Sequence, residues 1–266
     1  MAPLIDRITK SVKKKKEFAS IDDTFVKRII ERELNKKLRE TLEKHDEKTL
    51  ERSEKFKKVV KSVRAVLRKK YGVFKKEYKN DDDFLKKHLS TRERLPFYQE
   101  VYQKIWGITG KPKSILDLGC GYNPFSFKFM KLKKVKYFAV ELTKEDCKDI
   151  QQFFDKTKEI NGKAMQMDLE NKENFKKLPK ADITFMFKLL DTIDRKKGHA
   201  LSKELIDNIK SKWIVISFAT KTIGQRTMKR KTYRGKWLET YLTRKNKRYE
   251  KFEIPNEIFY VIENEN

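Results

Sequence analysis

The residues with the clearest chemical potential lie at 115–124, ILDLGCGYNP. An apolar run ends in Asp117 and passes into Gly119-Cys120-Gly121. Glycines at such a point let the backbone turn sharply and approach a ligand with no Cβ in the way. Glu141 follows Asp117 by 24 positions, just after a second apolar run. An acid there can accept hydrogen bonds from both ribose hydroxyls of a nucleoside. Asp168-Leu169 follow a third run, where the acid can accept from an adenine amino group. Taken singly, each acid is as well explained as a surface residue or a helix cap. Three of them at successive strand ends form a pattern. No Walker lysine motif accompanies them, so a nucleoside triphosphate is not implied. A glycine loop and a ribose acid without a pyrophosphate cradle point to an adenosine cofactor with a methionine tail. The tail's carboxylate requires a cation. Arg92 and Arg94 precede the glycine loop in sequence, and the guanidinium fork pairs bidentately with carboxylates.

The elements that must position these residues follow from periodicity. From Ser114 onward, short apolar runs (115–118, 137–140, 164–167, 183–187 and 213–218) alternate with helical stretches. That alternation predicts a parallel sheet covered on both faces. Two further strands near 247–253 and 257–262, around Pro255-Asn256, predict an antiparallel hairpin at its edge. Residues 1–106 read as a helical, basic domain and 107–266 as the sheet domain. In the first, Asp22, Asp23 and Thr24 cap a helix carrying Phe25, Ile29, Ile30, Leu34, Leu38 and Leu42. Ser53 opens another, with Phe56, Val59, Val60, Val63 and Leu67 on one face and Gly72 as its stop. Ser90-Thr91-Arg92-Glu93 fits a capping box with Ser90 as N-cap, and the helix that follows carries Leu95, Tyr98, Val101, Tyr102, Ile105 and Trp106.

Charge points to the partner. The chain's 266 residues hold 66 Lys+Arg against 39 Asp+Glu, a formal net charge of +27. Such a field draws in a polyanion and holds it by counterion release. An anionic membrane is the competing partner, but no apolar run reaches transmembrane length and no lipidation motif occurs. Residues 221–251 carry twelve Lys/Arg against Glu239 and Glu250, interleaved with Tyr233, Trp237 and Tyr241. Cations for phosphates beside rings for bases suit an RNA-binding loop, against the plainer reading of a solvated one. Cys120 and Cys147 have no metal-ligand spacing and His45, His88 and His199 are scattered, so no metal site is expected. The expectation is a monomeric cytoplasmic protein with reduced thiols, free of membrane contact.

Four blocks carry a resemblance: HLSTRERLPFYQEVY (88–102), SILDLGCGYNPFSF (114–127), ADITFMFKLLDTID (181–194) and ISFATKTIGQR (216–226). Together they resemble the aminoglycoside-resistance 16S rRNA (guanine-N7) methyltransferases, which modify guanine 1405 of the decoding site. The likeness runs over about residues 85–262, and the STRERL block is its specific part. It implies a Rossmann-like class I methyltransferase, a mostly parallel seven-stranded sheet with an α-helical N-terminal domain. It implies S-adenosyl-L-methionine as cofactor and small-subunit rRNA as partner. On that resemblance Gly119, Cys120, Gly121, Glu141, Leu142, Asp168 and Leu169 hold the cofactor together with Asp117. Arg92, or else Arg94, binds its carboxylate. Lys188 lies by the transferred methyl and the target, Asp194 falls where the family has a functional acid, and Arg226 engages RNA. The chain departs from the family with Glu141 for the usual aspartate, and with Ser217-Phe218-Ala219-Thr220 where proline is common.

Guanine N7 has a free lone pair and no proton to lose, so the chemistry asks for positioning rather than acid–base catalysis. That agrees with the lack of a histidine base near the motifs. Asp194 would stabilise the charge gained by the base, and Lys188 would orient its O6. A base must leave its stack to reach such a pocket, and Phe125, Phe127, Phe218 and Trp237 are candidates to cover it. The competing readings are a methyltransferase for another rRNA or tRNA position, and a noncatalytic RNA-binding or ribosome-assembly protein that keeps the fold.

Overall fold

In the computed structural model, residues 3–45, 47–71, 81–86, 89–194, 198–220 and 235–264 are described. The chain divides into two compact units, 1–75 and 76–266. The sequence pattern changes near residue 106, but packing divides the chain earlier, because the helix before the sheet belongs to the sheet's core.

The first unit is helical: α1 (Leu4–Lys13), α2 (Asp23–Glu33), α3 (Lys36–Glu43), α4 (Glu47–Leu50) and α5 (Glu54–Tyr71). Helices α1, α2 and α5 pack on one another and bury Ile8, Val12, Phe25, Val26, Ile29, Ile30, Val63 and Leu67. Asp22 caps α2 through the Phe25 N–H at 3.1 Å, and Ser53 caps α5 through the Phe56 N–H at 3.2 Å. The single helix expected over 22–42 is instead two. Leu34 turns extended and the Asn35 side chain accepts from the Leu38 N–H at 2.9 Å, starting α3 afresh. Gly72 lies outside the described residues.

The second unit opens with α6 (Asp81–Leu85), α7 (Leu89–Arg94) and α8 (Tyr98–Thr109). Ser90 sits inside α7 rather than at its cap. Pro96 has no N–H to donate, and a short 3-10 turn over Leu95–Phe97 separates α7 from α8. There follow β1 (Ser114–Leu118), α9 (Phe127–Met130), β2 (Val135–Glu141), α10 (Lys144–Lys156), β3 (Ile160–Gln166) and β4 (Ile183–Phe187). The chain continues through α11 (Leu190–Ile193), α12 (Ala200–Asp207), β5 (Trp213–Ala219), α13 (Lys236–Arg244), β6 (Tyr249–Ile254) and β7 (Glu257–Glu263). The seven strands stand in the order β3-β2-β1-β4-β5-β7-β6. Five are parallel, and β7 runs antiparallel to both β5 and β6. The hairpin expected around Pro255-Asn256 is present, but β7 is inserted between β5 and β6.

Alternate strand residues feed two cores. Ile115, Tyr137, Phe185, Val215 and Val261 join Tyr98, Tyr102 and Ile105 of α8 and Ile150 of α10 on one face. Leu116, Val140, Met186, Ile216 and Tyr260 join Leu205 of α12 and Leu238 of α13 on the other. Their upper estimate of hydrophobic drive is about 25 cal/mol per Å² of apolar area buried. The strand order reverses at β1 and β4, so a crevice opens beyond the carboxyl ends of the central strands. Among the described residues no helix is long and apolar enough to cross a membrane.

Candidate active site

The loop after β1 is built on two left-handed glycines, Gly119 at φ +59° and Gly121 at φ +52°. Both conformations suit a residue without a Cβ. At Gly119 a Cβ would also lie 2.5 Å from Leu189 Cδ1, so the loop nests on the chain leaving β4. The Cys120 N–H donates to the Val140 carbonyl at 3.1 Å, tying the loop to β2. Glu141, half-buried at the end of β2, accepts from the Gly121 N–H at 2.8 Å and from the Leu142 N–H at 2.7 Å. Its carbonyl accepts from the Met167 N–H at 2.8 Å, which brings in the end of β3. Asp168 stands beyond that strand, half-buried, with its side chain accepting from the Glu170 N–H at 2.8 Å, and Leu169 beside it is buried.

Burial dominates the electrostatics of this half. It pushes the Glu141 carboxyl up to about 7, helped by Asp146 and opposed by the two N–H donors. Asp117, 1% exposed, is raised to about 6 by burial, against hydrogen bonds from Asn123 Nδ2 and the Tyr137 hydroxyl, both at 2.8 Å. Its Oδ1 is buried and has no partner among the described residues. A buried carboxylate oxygen left in this state is costly unless something donates to it.

The opposite half is held by side-chain ion pairs. Arg94 is 1% exposed, and its guanidinium grips Glu257, likewise 1% exposed, through Nη2 at 2.7 Å and Nε at 3.2 Å. It also donates to Asn123 Oδ1 at 3.3 Å and lies 4.7 Å from the Phe187 ring centroid. Burial is the strongest single influence and opposes its charge, but the Glu257 carboxylate together with Tyr98 and Tyr102 outweighs it and raises its pKa. Glu257 further accepts from the Ser217 hydroxyl at 2.5 Å and pairs with Lys188 Nζ at 3.4 Å. Lys188 Nζ donates to Glu93 as well, at 2.9 Å. Lys188 adopts φ +54°, and its N–H donates to the Ser217 carbonyl at 3.1 Å. A left-handed lysine is held by its surroundings at some expense, and such strain clusters at functional sites.

The sequence-derived residues therefore fall into two sets. Asp117, Gly119, Cys120, Gly121, Glu141, Leu142, Asp168 and Leu169 line the ends of β1, β2 and β3. Lys188 and Arg94 meet through Glu257, whereas Arg92 is exposed on α7. Asp194 is 9% exposed, and its Oδ2 accepts from the Ser202 N–H at 2.9 Å, capping α12. Arg226 lies outside the described residues, as do Lys221 to Arg234. Phe125, Phe127 and Phe218 are core residues, and Trp237 is half-buried. Sequence reading missed Glu257, Glu93 and Asn123. The only local signal for Glu257 is its place after Pro255-Asn256, the turn in which Asn256 accepts φ +72° and leads into β7.

This sheet order, with β7 antiparallel and a glycine loop and acid at the first two strand ends, is the class I methyltransferase fold. The solved 16S rRNA methylase RmtF, in complex with S-adenosyl-L-homocysteine, superposes with TM-score 0.72 at 19% identity, covering 100% of both chains. The 16S rRNA methylase ArmA superposes with TM-score 0.57 at 22% identity, covering 76% of this chain and 96% of its own. More narrowly, the ribosomal RNA methyltransferase (FmrO) family model matches residues 26–261, and the chain belongs to that family. Its relatives include a 16S rRNA (guanine(1405)-N(7))-methyltransferase of Frankia casuarinae, 30% identical over 177 residues, 66% of this chain and 61% of the relative. The Proteus mirabilis enzyme of that name is 31% identical over 179 residues, 66% of this chain and 62% of its own. The chain thus spans about three-fifths of the curated relatives it matches.

Proposed function

We propose that this protein transfers a methyl group from S-adenosyl-L-methionine to N7 of a guanine in the decoding site of small-subunit rRNA. Membership of the ribosomal RNA methyltransferase family over residues 26–261 carries the reading. The geometry of the first half supports the cofactor. Two left-handed glycines give a backbone approach, Glu141 offers a carboxylate at the strand end for ribose hydroxyls, and Asp117 Oδ1 beneath them has no donor among the described residues. Gly119, Gly121, Glu141 and Asp168 would hold the adenosine part. For the tail carboxylate the choice is between Arg92, which is exposed, and Arg94, whose fork is engaged by Glu257. Arg92 is the reading retained.

When bound, the donor supplies an electrophilic methyl on a sulfonium. The chain's own residues then have to place a base whose N7 needs no deprotonation. Lys188, fixed between Glu93 and Glu257 at the end of β4, would orient the base's O6. The helical unit adds cationic surface. Lys15, Lys57, Lys61, Arg64 and Arg68 line an open depression of about 440 Å³. Released counterions would favour a phosphate backbone there.

Incubation of purified small subunits with labelled donor, followed by mapping, should give a single N7-methylguanosine in the decoding site. Labelling elsewhere, or none, would overturn the proposal. Lys188→Ala should lose at least a hundredfold in turnover while donor affinity by calorimetry stays within about threefold. Equal loss of both would remove Lys188 from the target side.

A further inference from the structure

His199 and Trp237 stack with ring centroids 4.4 Å apart and planes only 8° from parallel. The two residues come from different crossovers. His199 ends the connection after β4, at the start of α12, and Trp237 opens α13 after β5. Each therefore stands at the carboxyl end of the sheet, on the side where Lys188 leaves β4. Trp237 is anchored from behind by Phe218, ring edge to face at 6.4 Å and 85°, and by Tyr241 at 6.3 Å. Phe218 is wholly buried, so the indole rests on a rigid core.

The outer member of the pair is less explained by packing. His199 is half-buried and takes φ +54°, an uncommon conformation for a non-glycine residue. Neither of its ring nitrogens, nor the Trp237 indole N–H, has a hydrogen-bond partner among the described residues. Burial lowers the His199 pKa, so a neutral ring is kept at pH 7 against the pull of Asp194. Asp194 itself is turned to the Ser202 N–H. Exposed Lys236 adjoins Trp237 in the chain, and Lys203 Nζ reaches the Gly198 carbonyl at 2.8 Å, so cations border the pair. A neutral aromatic ring with free polar edges, backed by a second ring and bordered by lysines, is the composition of a base-stacking platform.

We infer that His199, backed by Trp237, is a stacking subsite for an RNA base next to the target nucleotide. It rests on the reading of the protein as an rRNA methyltransferase and adds a positioning site on the substrate side. The base lies on the imidazole face, and Trp237 fixes that face in place. The subsite takes a nucleobase of any identity through its π-face.

The test uses the full chain with purified small subunits and labelled donor. Wild-type methylation first establishes the parent reading, independently of the subsite. His199→Ala should then raise KM for the subunit about tenfold, with kcat and donor affinity within about twofold. His199→Phe, which keeps a ring, should restore KM to within about threefold of wild type. Trp237 fluorescence gives a readout besides activity. Wild-type emission should fall on titration with a short single-stranded RNA, and subtracting the Trp237→Phe signal isolates that change. A KM unmoved by His199→Ala would overturn the inference. So would loss of donor binding and thermal stability in step with KM, or quenching equal in wild type and Trp237→Phe. If wild type fails to methylate yet the subtracted quenching persists, the parent reading falls and the platform stands.

Discussion

The two halves of the crevice hold their charges by different means. At the ends of β1 and β2, Glu141 is satisfied by backbone N–H groups of the loop it faces, and burial raises its pKa to about 7. At the ends of β4, β5 and β7, Glu257 is satisfied by Arg94, Ser217 and Lys188, all side chains. Backbone donors are fixed by the fold and survive most substitutions. A side-chain cluster depends on every member being present. The first half is thus tolerant and pH-sensitive, and the second is brittle and insulated from pH by its opposite charges.

Removing Glu257 breaks this contrast most directly. Glu257→Ala would leave the Arg94 guanidinium buried without its carboxylate, a loss of about 3–5 kcal/mol for a broken buried pair. Urea denaturation of the second unit's transition should register it. A loss under about 1 kcal/mol would mean that solvent reaches Arg94 and that the half is not brittle.

The next largest effect belongs to the other half. Gly119→Ala places a Cβ 2.5 Å from Leu189 Cδ1 at a left-handed backbone. The strain is worth about 1–3 kcal/mol, and donor affinity should fall with it. Calorimetry with S-adenosyl-L-homocysteine checks the second effect. Unchanged affinity with lowered stability would detach the loop from the cofactor.

These two positions also mark what sequence could and could not reveal. Gly119 and Glu141 sit at the ends of contiguous apolar runs, so strand periodicity and a short motif expose them. The seven strands were legible for the same reason, and β3 was read late because Asn161, Gly162 and Lys163 interrupt its apolar run. Arg94 and Glu257 are 163 positions apart and meet only because β7 inserts beside β5. No local pattern encodes that pairing. The break at Leu34-Asn35 was hidden differently, since the apolar positions keep helical spacing across a cap.

A smaller effect concerns pH. Asp117 and Glu141 have folded pKa values raised to about 6 and about 7 from ordinary values near 4. Groups raised on folding bind more protons folded than unfolded, so their stabilisation is full below about pH 4. It is lost as pH rises through 6 to 7. Stability should therefore drop by roughly 1–2 kcal/mol between pH 6 and 7.5 from these sites. Glu141→Gln should flatten the upper part of that slope. A carboxylate that accepts ribose hydroxyls must be ionised, so donor affinity should climb over the same range and binding should release protons near pH 7. A slope that persists in Asp117→Asn/Glu141→Gln would assign it elsewhere.

The smallest effect separates a cap from a charge at the boundary of the brittle half. Asp194 accepts from the Ser202 N–H at the start of α12, work that an asparagine oxygen performs nearly as well. Asp194→Ala should lower stability by about 1 kcal/mol, and Asp194→Asn by only a few tenths. If the carboxylate also steadies the charge gained by a methylated base, Asp194→Asn should cut turnover severalfold at unchanged thermal midpoint. If Asp194 is only a cap, Asp194→Asn should turn over at the wild-type rate. Methyl-transfer kinetics beside thermal melts of both variants would decide whether this carboxylate belongs to the chemistry or to the scaffold that carries His199.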